Sequence, residues 1–519
     1  MNRRGFLQLT GAATLVLSAA ACASSGSTGT LLRSAVAPPK RFSQPLPIPP
    51  ELVPDAEGVI DLPVQPGWIE IFGGHKTKIR GYGGTFPGPT IRATKDQPLT
   101  VRLTNELDRP TVLHLHGGRT PSDSDGFPTD LVQPGTSRDY VYPMQQRAAF
   151  LWYHDHTMDA TGANVYHGLA GMAIVHDEAE DALGLPTGDR DLPLLICDRS
   201  FDAGHQLNYP TGSADAGGPN HGGSGHDHGG DGDHGTGHSG HSGHSAHGGG
   251  HDDVVDPEYL GGLLSDVMLV NGAPWPVHEV DAARYRLRLL NASNARRIEI
   301  SIDEQPLIQV ATDQGLLQQP LERKSVTLAQ AERVDVLVDF SAFAAGSRVR
   351  VRNLLGDGQM ADIMEFHVAG ASEPEAQIPT ELSSYEVPDE AQVSVVRDLH
   401  FALGPSSEQH PHGVWMVNGE IFDPDKPLMT LQSGTVERWR LSTDVHHPIH
   451  VHLLQMHVVR HRGADPGPAY AGIKDTIDLH PGDTCEVLVP IDGYPGKYVL
   501  HCHNLEHEDM MMMSRFDIQ

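Results

Sequence analysis

Three stretches of the chain share one pattern. Leu99-Thr100-Val101-Arg102-Leu103-Thr104-Asn105 alternates apolar and polar residues, as a half-buried strand does. Tyr285-Arg286-Leu287-Arg288-Leu289-Leu290-Asn291 does nearly the same, and Val436-Glu437-Arg438-Trp439-Arg440-Leu441 does it again. A strand-like segment and a short turn precede each copy, and a second set of strands follows some tens of residues later. In the first and third copies that set opens with Pro-Gly, at Pro134-Gly135 and Pro481-Gly482. The pattern predicts an all-β chain of three consecutive β-sandwich modules, with approximate limits 45–180, 190–370 and 385–519.

Composition fits this reading. At roughly 100–200 residues per domain, three or four domains are expected, and 519 residues supply them. The 38% hydrophobic content suffices for ordinary cores, and 56 Gly with 39 Pro suit short strands joined by many turns. One stretch breaks the pattern. From about Gly204 to His251 the chain is mostly Gly, His, Ser and Asp with almost no apolar residues, so a disordered loop is expected there. It carries His221, His226, His228, His234, His238, His241, His244, His247 and His251, a candidate for auxiliary metal binding; the plainer alternative is a flexible linker. Leu192-Pro193-Leu194-Leu195-Ile196 and Val267-Met268-Leu269-Val270 read as strands on either side. The loop therefore hangs off the second module.

The formal net charge of -30 argues against nucleic acid or an anionic membrane surface as partner, since both need a basic face. It leaves cations, metal ions among them, as suitable partners. Residues 1–44 read as a signal peptide and linker. Asn2-Arg3-Arg4-Gly5-Phe6-Leu7 is a twin-arginine pattern, and the apolar stretch from Leu7 to Ala21 is too short for a comfortable membrane span. Export to the periplasm, the cell envelope or the medium is expected, with no transmembrane helix. Ala19-Ala20-Ala21-Cys22 is also a candidate lipoprotein cleavage site, which would anchor the chain at Cys22. With only Cys22, Cys197, Cys485 and Cys502, no disulfide framework is expected. Cys197 and Cys485 lie in apolar runs where buried thiols are the default and a bridge is the alternative.

The outer modules differ from the middle one at two matching places. After its repeated strand, module one has His114-Leu115-His116-Gly117 and module three has His447-Pro448-Ile449-His450-Val451-His452. Module two has Asn294-Ala295-Arg296-Arg297 instead. Near their ends, module one has Trp152-Tyr153-His154-Asp155-His156 and module three has Tyr498-Val499-Leu500-His501-Cys502-His503, where module two has Val349-Arg350-Val351-Arg352-Asn353. Module two reads as a structural spacer. Side chains alternate along a strand, so His-x-His aims both rings at one face. Four such pairs make an imidazole cluster, and imidazole alone suits copper, zinc, iron or nickel. Cys502 decides among them. A thiolate, two imidazoles and a long axial thioether form a blue-copper electron-transfer site, and His447, Cys502, His507 and Met512 supply that set. Module one has Asp155 where module three has Cys502, so it can build half of the cluster and no blue site.

These motifs resemble those of multicopper oxidases, closely the bacterial branch of spore-coat laccases, bilirubin oxidases and cuprous oxidases. Besides the His motifs, Phe86-Pro87-Gly88-Pro89-Thr90, Lys474-Asp475-Thr476 and His501-Cys502-His503-Asn504-Leu505-Glu506-His507 match. The resemblance runs from about Phe86 onward, apart from the His-rich insertion. It implies three cupredoxin-like Greek-key domains and copper as cofactor, with four ions per chain. His114 and His450 would hold a type-two copper. His116, His154, His156, His452, His501 and His503 would hold a binuclear type-three pair. Asp125 and Glu508 match the acids that supply protons to reduced oxygen in the family.

The expected reaction takes single electrons from a reductant docked near an exposed edge of His507 and passes them through Cys502 to a cluster that reduces dioxygen to water. Two enzymatic readings follow for a protein expected to be monomeric. One is a laccase acting on phenols, aromatic amines or similar small organic reductants. The other is a cuprous oxidase acting on Cu(I). Asp444-Val445-His446 before His447, and the lack of a Met-rich insertion, depart from the cuprous-oxidase pattern. A non-catalytic exported copper-binding or storage protein is the alternative from another class, and the complete ligand set argues against it. A copper nitrite reductase would be expected to have two modules and not three.

Overall fold

The computed structural model describes residues 28–211, 255–303, 305–370, 377–407 and 410–519. Six sheets pair into three sandwiches. In module one, a four-stranded sheet ordered His75–Tyr82, Val59–Phe72, Leu99–Asn105, Ser137–Tyr142 packs on a five-stranded sheet. That second sheet is ordered Glu51–Leu52, Gly88–Thr94, Ala170–His176, Ala149–Asp155, Leu113–His116. Leu62, Val101 and Leu103 from one sheet meet Leu115, Leu151 and Tyr153 from the other in a shared core. Module three repeats the plan. Thr435–Thr443 lies central in one sheet, while Met513–Ile518, Gly496–Cys502, His447–Val451 and Thr476–Leu479 adjoin in the other.

The three repeated strands occupy one structural slot. Each runs parallel to an earlier strand of its module: Leu99–Asn105 beside Val59–Phe72, Arg284–Asn291 beside Asp191–Arg199, and Thr435–Thr443 beside Val393–Leu403. Each also runs antiparallel to a later strand of its module: Ser137–Tyr142, Arg333–Asp339 and Thr484–Ile491. In Leu99–Asn105 the apolar positions are buried and the polar ones between them are not, apart from Asn105, as alternation requires. The module-two copy departs from this, because its polar positions are buried as well. Arg286 and Arg288 are tolerated there because Glu180 (2.6 Å) and Asp191 (2.7 Å) neutralise them, with Asp335 facing both.

Two further expectations need correction. Residues 28–44 are not a free linker. Thr30–Leu31 pairs in parallel with Leu263–Leu264, and Ser34 and Arg41 bond Asp266 and Asp362 of module two. The His-rich stretch also begins later than composition suggests. Phe201 bridges Leu207, Tyr209 is buried, and Thr211 bridges Val255. The apolar side chains of Leu207 and Tyr209 provide the anchorage that the Gly/His run lacks. His221 through His251, the signal segment and Cys22 lie outside the described residues. Cys197 and Cys485 are buried free thiols in different modules. Among the described residues, no helix is long and apolar enough to cross a membrane.

Candidate metal centre

The second sheet of each outer module sets His-bearing strands side by side. His114 lies directly opposite His154, and His450 directly opposite His501. The matching register in module two, Ile300 opposite Asn353, offers no ligand. Across the junction of modules one and three the rings stack, His116 on His450 at 3.6 Å between centroids and His114 on His452 at 3.8 Å. His156 meets His501 at 5.0 Å, and His154 meets His503 at 5.3 Å. All eight imidazoles are at most 1% exposed. Their ligand atoms converge in three groups: His114, His116 and His450; His116, His154 and His503; and His156, His452 and His501.

Hydrogen bonds fix which nitrogen faces inward in three of these rings. The Nδ1 atoms of His114, His154 and His450 bond the carbonyls of Asp125 (2.6 Å), Asp155 (2.8 Å) and Asp475 (2.9 Å). Their Nε2 atoms are buried without a partner, as are both ring nitrogens of His503. Nε2 of His452 and Nε2 of His501 face each other at 3.3 Å. Buried polar atoms are ordinarily paired. This set of orphaned, convergent lone pairs is what a metal cluster needs, so the residues fit copper. Burial, reinforced by neighbouring imidazoles, lowers the pKa of His114, His452 and His503 well below the ordinary value, and that of His154 to about 3. The rings are therefore held neutral, the form that ligates.

Asp125 and Glu508 stand directly behind this cluster. Oδ2 of Asp125 accepts from His452 Nδ1 at 2.7 Å, and its Oδ1 accepts from Thr120 at 2.9 Å. Glu508 lies 3.0 Å from Nδ1 of His501 and 3.5 Å from Nδ1 of His156. Each carboxylate reaches a ring of the other outer module. Burial pushes the Asp125 carboxyl up to about 8. For Glu508 burial acts the same way, but the His501 and His156 rings outweigh it and hold the group below the usual carboxylate range.

The second candidate site lies inside module three. Sγ of Cys502 is 3.4 Å from Nδ1 of His447 and 3.6 Å from Nδ1 of His507. The short helix Leu505–Asp509 carries His507, and its end returns Met512 to the Cys502 strand. There Met512 N donates to the His507 carbonyl and Cys502 N donates to the Met512 carbonyl. Met512 is fully buried in the same core as Cys502. In the neighbouring Met run, Met513 packs with Phe127 and Val499, and Met510 and Met511 are partly exposed.

Comparison with known proteins agrees with this geometry. Multicopper oxidase family profiles match residues 63–180, 237–348 and 393–519. A laccase of Bacillus subtilis is 33% identical, over 85% of this chain and 90% of the relative. The chain belongs to the multicopper oxidase family. It is an oxidoreductase of the laccase-like kind. A bilirubin oxidase of Albifimbria verrucaria is 31% identical over 84% of this chain and 72% of its own. Among solved structures, the laccase-like multicopper oxidase CueO of Ochrobactrum sp. superposes with a TM-score of 0.76 at 28% identity, covering 92% of this chain and 100% of that one.

Within this multicopper oxidase, the surroundings of the Cys502 site hold residues that sequence reasoning missed. The expected exposed edge of His507 is absent: the ring is 0% exposed. Trp415 lies over it at 4.0 Å between centroids, and the Gly261 carbonyl of module two accepts a hydrogen bond from it. Trp415 Nε1 in turn donates to the Leu260 carbonyl at 3.2 Å. His447 is buried too, but its Nε2 donates to Asp444 at 3.0 Å, and the Asp444 side chain is 33% exposed. Both rings thus have Nε2 engaged and Nδ1 aimed at sulfur. Nothing near Trp415 or Gly261 in the sequence signals this cover, which module three supplies with Trp415 and module two with the Leu260 and Gly261 carbonyls.

Proposed function

We propose that this multicopper oxidase takes single electrons from phenolic or other small aromatic reductants and reduces dioxygen to water with four copper ions per chain. His447, Cys502, His507 and Met512 would hold the blue copper, and His114 with His450 the type-two ion. His116, His154, His156, His452, His501 and His503 would hold the type-three pair. Bound copper supplies one-electron acceptance at the first site and four-electron reduction of dioxygen at the cluster.

The observation that carries this reading is the double role of one short segment. Cys502 belongs to the thiolate site, while His501 and His503 on either side belong to the imidazole cluster. The two sites are therefore joined through a few covalent bonds. Dioxygen reduction consumes protons as well as electrons, and Asp125 and Glu508 each contact cluster imidazoles, which suits them to carry those protons. On the reductant side, Asp444 offers a partly exposed acceptor bonded to His447, suited to the O–H of a phenol or the N–H of an aromatic amine. Arg3-Arg4 and the apolar stretch after it support export by the twin-arginine route.

One observation favours a second reading, oxidation of Cu(I). The His-rich insertion leaves and re-joins the fold at Thr211 and Val255, close in sequence to Tyr209 and Leu263. Those two residues hydrogen-bond Glu506, the neighbour of His507. Imidazoles tethered there could gather copper beside the thiolate site.

Oxygen uptake by the copper-loaded protein, with a phenol and with Cu(I) in parallel, separates the readings. Full-length protein and a deletion of residues 222–250 are compared. Fast uptake with the phenol, unaffected by the deletion, is expected. Uptake chiefly with Cu(I), falling on deletion, would replace the phenol reading with the Cu(I) reading.

A further inference from the structure

Among the described residues, module two brings no imidazole to the cluster, yet one of its side chains forms part of the cluster's wall. Arg333 opens the strand Arg333–Asp339 and is fully buried. Its guanidinium grips Asp475 of module three with two prongs, Nη1 to Oδ1 at 2.7 Å and Nη2 to Oδ2 at 2.6 Å. Nε donates to the Phe150 carbonyl of module one at 3.2 Å. The remaining two donors go to the Ala331 carbonyl (3.0 Å) and the Asp313 carbonyl (2.9 Å) of its own module. All five N–H donors are used, and one side chain bonds all three modules.

Asp475 is turned toward the cluster. Its Oδ1 lies 3.2 Å from Nε2 of His116, and Thr476 Oγ1 lies 3.3 Å from the same nitrogen. The Asp475 carbonyl accepts from Nδ1 of His450. Gln314, also from module two, donates to Asp475 Oδ2 at 2.6 Å and to the Gly117 carbonyl at 3.0 Å. Gly117 has φ +81°, and a Cβ there would stand 2.6 Å from Arg333 Nη2 and 2.7 Å from Asp475 Oδ2. The residue after His116 is a glycine because this clamp fills the space a side chain would need.

The clamp makes His116 the reverse of His114, His154 and His450. Those three engage Nδ1 and leave Nε2 inward, whereas His116 engages Nε2 and leaves Nδ1 buried without a partner. We propose that Arg333 is a positioning residue of the oxygen-reducing cluster: by fixing Asp475 it selects Nδ1 of His116 as the metal-facing atom, so that closure of the cluster depends on docking of module two. The inference rests on the copper reading given above.

Arg333→Lys and Gln314→Met in the full chain test it. Lysine keeps the charge and loses the planar fork, and Gln314→Met removes only the second brace. Copper per chain, the blue absorption and the electron paramagnetic resonance of the cluster copper are measured alongside oxygen uptake. The blue absorption is expected at wild-type intensity, because all of its ligands belong to module three. Cluster copper is expected to fall by half or more in Arg333→Lys and by less in Gln314→Met, with a changed cluster spectrum in both. An unchanged cluster in both variants would overturn the proposal, as would parallel loss of blue and cluster copper, which marks a general folding role. Wild-type protein that binds no copper would instead overturn the copper reading itself.

Discussion

At one place in the outer modules, a strand ends between two histidines: at Asp155 in module one and at Cys502 in module three. The backbones around them match bond for bond. Cys502 N donates to the Met512 carbonyl and Met512 N to the His507 carbonyl; Asp155 N donates to the Leu169 carbonyl and Leu169 N to that of Asn164. Thr111 stands three residues before His114, as His447 stands three before His450. Thr111, Asp155, Asn164 and Leu169 thus occupy the places of His447, Cys502, His507 and Met512. The chemistry in those places is opposite. Asp155 accepts five hydrogen bonds, from Thr111 Oγ1, Val112 N, both Thr157 donors and Asn164 Nδ2, which offset much of the cost of its burial. Cys502 accepts from Asn504 N, and its sulfur otherwise faces ring nitrogens with free lone pairs. The same scaffold becomes a structural clamp or a candidate metal site according to whether its donors match its acceptors.

The largest test of this contrast is Cys502→Ser, which should abolish blue colour and oxidase turnover while leaving the fold intact by circular dichroism. Retained oxygen uptake would break the comparison. Next are the two carboxylates behind the cluster. Asp125→Asn and Glu508→Gln should each slow reoxidation by dioxygen about 10²–10⁴-fold, with anaerobic reduction of the blue site unchanged in stopped-flow absorption. Asp155→Ala should leave the blue absorption in place but cost about 2–4 kcal/mol in denaturant unfolding, because several buried donors lose their acceptor. If it bleaches the blue site instead, module one is no mere clamp. The smallest effect is expected of Asp444→Asn, a fall of about tenfold or less in kcat/KM for a phenol. Ferrocyanide, which has no N–H or O–H to donate, should be oxidised as before; an equal fall with both would reassign Asp444 to the support of His447.

The repeated strands and the His-x-His pairs were legible in the sequence because both rest on period two within one segment. Leu99–Asn105 shows that periodicity in its burial, and His447, Cys502 and His507 come together as their spacing suggested. Arg333 was not legible. Its partner Asp475 is 142 residues away, and an arginine heading a strand carries no local sign that it will be buried. The cover over His507 escaped for the same reason, since Gly261 and Trp415 belong to different modules and meet only on folding. Module two, which looks like a spacer when only its strand motifs are compared, supplies Arg333 and the Gly261 side of that cover.

The division of the cluster between modules one and three also fixes an order in time. Domains form from the N-terminus as synthesis proceeds, so module one can fold with His114, His116, His154 and His156 lining an open face. Their counterparts His450, His452, His501 and His503 all come from module three, which is made after modules one and two. A nascent or truncated chain therefore holds half a cage and no thiolate site. A complete cage requires module three to be made and folded against module one, and copper should bind firmly only after that docking.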